Sequence, residues 1–513
     1  MPKNVVVFSD GTGQDGGVRP EQRVSNIYKM YRACRNGPDS SIDPALQVAF
    51  YDPGLGTDIG ATALTAPVRF VQKLLASVVG RGITANIADC YQFIIDHHEP
   101  GDRIFLIGFS RGAYTVRCVA NLIRLCGIPT TTPAGPVPRF RAAARAIANE
   151  AVGTVFEHGA GHPRAEFEDE REELARRFRI KYGSAHESGE ARRSNAAPYF
   201  VGVFDTVAAL GARGPRRYLI IAGLGLGLMA AATACAILPA AAIAAILHGT
   251  VHASFWATFG LIEAIACVAT LAAAAWRSSA AATKTIRDFL NPGDVRSHRA
   301  EWKGENFDRL LSRFVSYARS ANAIDELRRD FDRVGWGGLK EGAPESVDGY
   351  ARLMQWWFAG NHSDIGGSYA EPESRLSDVA LGWMIEQATG IPEGLVVDGS
   401  AGPGVASSNP RLRLFPSGAG VQHCEVTATC DAIDARVPAF LRRFSGRWGW
   451  QVKVRDVQPD APVHPTVAER FALPAVQQPG GPAPYRPAAL ASHHAFSHLY
   501  ASDAVAGDTS ASC

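Results

Sequence analysis

The chain has no cysteine framework. Its nine cysteines are scattered and none stand as Cys-x-x-Cys, which excludes a zinc ribbon or disulfide scaffold and fits reduced thiols in a core. It has no charge surplus either: 52 basic residues face 50 acidic ones, a net charge of +2. Neither nucleic acid binding nor an acidic tail is indicated. The opening lacks a charged-then-apolar leader with a cleavage site, so no standard signal peptide is expected. No internal repeat is present. With 513 residues and 46% apolar content, the chain can hold about three average domains or one large domain with insertions.

One absence is local. In "VVVFSDGTG", Val5 to Gly13, an apolar strand runs into Asp-Gly-Thr. An aspartyl phosphatase would need Asp-x-Asp-Gly-Thr at this point. Phe8 occupies the first Asp position and cannot attack phosphorus, so that chemistry is excluded.

Charge is missing again from Tyr218 to Leu238, and Glu263 is the sole charge from Phe255 to Trp276. Each stretch can cross about 30 Å of hydrocarbon as a helix; two buried Ala-rich core helices are the alternative. Arg213, Arg216 and Arg217 precede the pair, and Arg277, Lys284 and Arg287 follow it. A hairpin with both ends on one positive-inside face has this pattern. Glu263 is then expected to face the neighbouring helix or a polar cavity, while Gly223, Gly225 and Gly227 suit close helix contact.

Elsewhere strand and helix patterns alternate. "VVVF", "QVAFYD", "DRIFLIGFS", "APYFVGVFDTV" and "MQWWF" read as strands. "SNIYKMYRAC", "GITANIADCYQFIIDHH", "RGAYTVRCVANLIRLCG", "FVSYARSANAIDELRRDF" and "LSDVALGWMIEQATG" read as helices. Charge-rich "EFEDEREELARRFRIKYG" reads as a solvated helix with opposite-charge pairs. Buried apolar strands alternating with helices predict a mostly parallel α/β sheet. The Pro- and Gly-rich last hundred or so residues resist assignment.

"GFSRG", Gly108 to Gly112, is a Gly-x-Ser-x-Gly motif that follows a buried strand and opens a helix. A nucleophile elbow needs this context, with Gly108 and Gly112 leaving room for a strained Ser110 and the Arg111 N–H serving as an oxyanion donor. A Gly-rich turn with a capping serine is the alternative. A serine needs a base and a group to orient that base. Asp205, at the end of "YFVGVFD", and His362, in "WWFAGNHSDIGG", follow in the order Ser, acid, His. All three would meet outside the carboxyl ends of the strands. Asp205 could instead cap a helix, and His362 could be a structural loop residue. Asp364 is the reserve acid and His464 the reserve base. On this reading "DGTG" supplies a second oxyanion N–H, from Gly11 or Thr12.

The motifs "VVVFSDGTG", "YDPGLGT", "IFLIGFSRGAYTVR", "VGVFDTV", "AIDELRRDF", "WWFAGNHSDIGGSY", "LSDVALGWM" and "VHPTVAER…YRPAAL" occur in the order seen in one family. From about Asn4 to Leu490, interrupted by the hydrophobic pair, the chain resembles the α/β-hydrolase family, first catalogued as a domain of unknown function, that includes type VI secretion phospholipase effectors. The resemblance implies a Ser-His-Asp esterase acting on phospholipid acyl chains, with Ser110, Asp205 and His362 at the matching positions. The expected organisation is a hydrolase core over 1–212, a hairpin over 213–287, the rest of the core over 288–395, and a C-terminal part over 396–513 with a disordered tail. Expected partners are phospholipid, a bilayer and an immunity or secretion-machinery protein. The chain is expected at a bacterial inner membrane with the hydrolase part cytoplasmic, or exported by a signal-independent route. No metal or cofactor is expected, although Asp364 could join a structural calcium site. An acyltransferase, a non-catalytic membrane-associated interaction protein and a pore former are the rival readings.

Overall fold

The structure is a computed structural model. It describes residues 2–11, 14, 16, 23–54, 81–207, 215–302, 309–340, 342–398, 412–426 and 452–503. Six strands form the main sheet: β1 (Asn4–Ser9), β2 (Gln47–Asp52), β3 (Arg103–Phe109), β4 (Pro198–Phe204), β5 (Tyr317–Ala323) and β6 (Leu353–Phe358). Their order is β6-β5-β4-β3-β1-β2 and every pairing is parallel. The order reverses between β1 and β3, so the crevice where a parallel sheet takes its ligand opens at the carboxyl ends of these two strands. One end carries Asp10 and Gly11, and the other carries Ser110.

The strand sequences explain the layering. β1 and β3 are buried almost throughout, and a strand covered on both faces needs apolar residues at every position. Val5, Val7, Ile104 and Leu106 face one helical layer, built from Arg81–His97, Arg111–Cys126, Ala142–Glu150 and Glu168–Tyr182. Val6, Phe8, Phe105 and Ile107 face the other, built from Asn26–Cys34 and Arg375–Thr389. The side chain of Ser25 caps the Asn26–Cys34 helix by accepting from the Tyr28 N–H.

One expected helix is a strand. Residues 314–331 read as helical, yet Tyr317–Ala323 forms β5, buried at every position between β4 and β6. Its alanines carry strong helix propensity, but burial on both faces overrides propensity. Arg319 reinforces a surface reading; instead its guanidinium is buried and bonds Gln387 Oε1 at 2.8 Å and the Ala351 carbonyl at 2.9 Å. Two further expectations change. His362 opens the short helix His362–Gly366 rather than lying in a loop. The hard-to-assign C-terminal part contains the helix Pro465–Ala472, whose Val467 and Phe471 pack with Ile324 and Trp357. Thr12 and the expected disordered tail lie outside the described residues.

The hydrophobic pair forms helices Pro215–Val251 and Phe255–Ala282. Both are long and apolar enough to cross a membrane, and only 11% and 6% of their apolar windows are buried. They are therefore not core helices of the sheet domain. From the second helix the chain enters an antiparallel ribbon, Thr283–Arg287 with Val295–Arg299, that returns it to the core.

Candidate active site

Steric demand shapes the turn after β3. Ser110 has φ 58° and ψ −121°, a strained conformation for a residue with a side chain. A Cβ on Gly108 would lie 2.5 Å from the Gly112 carbonyl oxygen, and one on Gly112 would lie 2.1 Å from that of Ser9. Glycine is required at both positions, and the contact with Ser9 binds the elbow against the end of β1. Ser110 makes no capping bond to the following helix, which removes the capping alternative. The Ser110 N–H instead donates to the Phe204 carbonyl at 3.1 Å, tying the elbow to β4.

Three side chains from distant parts of the chain then join. Ser110 Oγ lies 2.7 Å from His362 Nε2, and His362 Nδ1 lies 2.6 Å from Asp205 Oδ2. Ser110, His362 and Asp205 are 6%, 3% and 0% exposed. The bonding fixes one tautomer, with the proton on Nδ1 and the Nε2 lone pair toward the hydroxyl. Asp205 has φ 35°, and its side chain bonds groups from three other segments. Oδ1 accepts the Ala323 N–H at 3.1 Å, while Oδ2 also accepts Arg455 Nη2 at 2.9 Å. The helix-cap alternative for Asp205 finds no such bond among the described residues.

Burial alone would raise the Asp205 pKa. Arg455, His362 and the Ala323 N–H outweigh it and hold the carboxyl below its ordinary value. Nothing in the sequence pattern points to Arg455. It arrives on residues 452–463, where Trp357 N–H donates to the Pro462 carbonyl and Lys453 N–H to that of Leu327. Arg455 Nε and Nη1 are buried with no hydrogen-bond partner among the described residues, and Asp205 is the carboxylate that its Nη2 meets. No local motif signals a residue that acts from 250 positions away. The same is true of Glu326: its Oε2 accepts the His362 N–H at 3.2 Å, while Phe109 and Phe331 flank the imidazole at ring-centroid distances of 4.7 and 5.1 Å. A helical reading of "AIDELRRDF" does not place its residues around the histidine.

The reserve residues lie apart from this series. Asp364 accepts the Asn361 N–H in a capping box and bonds His423 Nδ1 at 2.7 Å, so its oxygens hold the loop together. His464 Nδ1 bonds Thr466 Oγ1 at 2.8 Å and caps a helix; burial lowers its pKa to about 4. Gly11 lies beside the nucleophile position, since a Cβ there would come within 3.3 Å of Ser110 Cβ. Its N–H, however, donates to Asp10 Oδ1 at 2.7 Å. The Arg111 N–H opens a helix, where backbone donors have no partner within the helix.

The fold and site define a parallel α/β protein with a hydrogen-bonded Ser–His–Asp series at the carboxyl edge of its sheet. The chain belongs to the family described as T6SS, Phospholipase effector Tle1-like, catalytic domain, which matches residues 3–224 and 259–387. The unmatched interval, 225–258, falls in the hydrophobic hairpin. Over 131 residues the chain is 34% identical to an uncharacterized protein of Saccharomyces cerevisiae, covering 25% of this chain and 18% of that protein. The chain thus spans under a fifth of the length of this curated relative. Among solved structures it is similar to an uncharacterized protein from Pseudomonas aeruginosa, with 14% identity, a TM-score of 0.28, and coverage of 75% of this chain and 45% of that one. It is also similar to the Tle1 effector bound to the VgrG spike of the type 6 secretion system, with 15% identity, a TM-score of 0.25, and coverage of 73% and 53%.

Proposed function

We propose that the chain is a membrane-associated serine esterase of the α/β-hydrolase type that cleaves acyl esters of phospholipids. The observation that carries the reading is the unbroken bonding from Ser110 Oγ through His362 to Asp205, together with membership of a phospholipase effector family. His362 Nε2 takes the Ser110 proton as Oγ attacks the ester carbonyl. Asp205 holds the imidazole and stabilises the imidazolium. The Arg111 N–H and a donor from the Gly11–Thr12 loop bind the oxyanion; Gly11 must release Asp10 to take part. His362 then protonates the leaving alcohol, and water attacks the acyl-enzyme by the same base.

The hairpin is proposed to hold this chemistry at a bilayer, with the positive flanks on the side of the esterase. Secretion machinery and an immunity protein are the partners that the family implies. Incubation with mixed phospholipids and identification of the products tests the proposal. The wild type should release fatty acid and lysophospholipid, and Ser110→Ala neither. A fluorophosphonate probe should label the wild type alone. Release of an acylated acceptor in place of fatty acid would favour the acyltransferase reading. Equal labelling of both proteins would refute Ser110 as the nucleophile.

A further inference from the structure

Away from the serine site, two imidazoles and a carboxylate meet where the hairpin ribbon reaches the core. His158 follows the π-helical turn Ala151–Phe156, Glu170 lies in the first turn of Glu168–Tyr182, and His298 lies on the ribbon strand Val295–Arg299. One ligand atom from each falls within 4.8 Å of the other two. His158 Nε2 is 2.7 Å from Glu170 Oε2, and the two imidazole rings stand edge-on with centroids 4.4 Å apart. His158 is 1% and Glu170 8% exposed. Phe167 stacks on His298 at 4.0 Å and walls the cluster from one side. The proposed serine chemistry uses none of these residues.

We propose that His158, Glu170 and His298 form a zinc site that clamps the ribbon at the foot of the hydrophobic hairpin to the core. Two imidazole nitrogens and one carboxylate oxygen suit zinc, whereas calcium and magnesium favour all-oxygen sites. A tetrahedral ion with bonds of ~2.0–2.1 Å sets its ligand atoms ~3.4 Å apart. The 2.7 Å pair opens slightly and the wider pairs close, movements within side-chain reach.

His298 Nε2 accepts the Gly159 N–H at 2.9 Å, so coordination exchanges that bond for the metal. Glu170 supplies the negative charge. Arg296, 3.7 Å from Glu170 Oε1, opposes the ion, while Lys284 is neutralised by Glu157 at 2.7 Å. The ribbon is already docked by the Glu301 N–H to the Ala160 carbonyl and by His162 Nε2 to the Arg299 carbonyl. A metal would add a link that a chelator can remove.

The test uses the full chain without an affinity tag, in detergent, stripped with chelator and then titrated with zinc chloride. One zinc should bind per chain at micromolar free zinc, measured by atomic emission. Zinc should slow amide exchange across residues 283–299, and chelator should reverse the effect. Glu170→Gln and His298→Ala should each weaken binding at least ~tenfold, in line with loss of a ligand or its support. Cobalt should give tetrahedral ligand-field bands in the wild type that are lost in Glu170→Gln, a conservative change that tests the site even if His298→Ala misfolds. Absence of stoichiometric zinc in the wild type, or unchanged affinity in Glu170→Gln, would overturn the proposal.

Discussion

The sheet domain and the hairpin place polarity in opposite ways. Around the site, buried charged groups are paired in cases such as Asp205 with Arg455 and His362, and Glu326 with Arg328 in a two-point contact. In the hairpin, large apolar groups face outward. Leu226 is 63%, Leu238 80%, Trp256 76% and Trp276 72% exposed. The one acid there, Glu263, has both carboxylate oxygens buried with no hydrogen-bond partner among the described residues. A water-facing surface rarely carries so continuous an apolar face. The two regions are therefore built for different surroundings, and the short ribbon is where one gives way to the other. A substitution should damage activity in the first region and membrane partition in the second.

The largest expected effect breaks the site alone. His362→Ala should lower kcat by about 10⁴-fold or more, as loss of a triad base does, while sedimentation with membranes stays unchanged. Loss of both would mean that the two regions are not separable. Arg455→Met comes next. Without the guanidinium, burial raises the Asp205 pKa, so the acid limb of the kcat/KM profile should move to higher pH and activity at neutral pH should fall roughly 10- to 100-fold, a few kcal/mol in transition-state terms. Arg455→Lys should restore part of the shift. A uniform loss at all pH values would instead mark a packing role. In the hairpin, Leu261→Arg places a charge at a position that is 61% exposed. Insertion should cost about 3 kcal/mol, visible as a greater soluble fraction, with hydrolysis of a short water-soluble ester within about twofold of wild type if the reading of separate regions is right.

The sequence discloses these features unevenly. Ser110, Asp205 and His362 were legible because each sits where a strand with a clear apolar run ends, and strand ends converge in a parallel sheet. β5 was not legible, because alanine, serine and asparagine packed on both faces leave no apolar run and match a helix by propensity. Arg455 and Glu326 were hidden for a different reason. Their roles depend on tertiary neighbours, Asp205 at 250 positions and His362 at 36, and no spacing rule connects them. The hairpin was the plainest feature of all, since absence of charge over a long run needs no partner to be read.

A last effect, on stability alone, concerns the end of β1, where the core contains an acid with no cation beside it among its described partners. Asp10 accepts the Gly11 N–H and the Tyr51 hydroxyl at 2.7 Å each, and also the Ser25 hydroxyl. Burial outweighs these bonds and raises its pKa from 3.8 to about 6. The folded chain therefore holds this proton over a range in which the unfolded chain has lost it. Stability from Asp10 is full below about 4 and falls as pH rises through about 6. Asp10→Asn keeps an acceptor for Gly11 and removes the titration. Urea midpoints measured between pH 4 and pH 7 should fall less steeply in the variant than in the wild type, with up to about 3 kcal/mol of the difference arising from two pKa units. Parallel slopes would show that Asp10 is not desolvated in solution, and the end of β1 would then belong with the open, water-facing parts of the molecule instead of with the closed serine site.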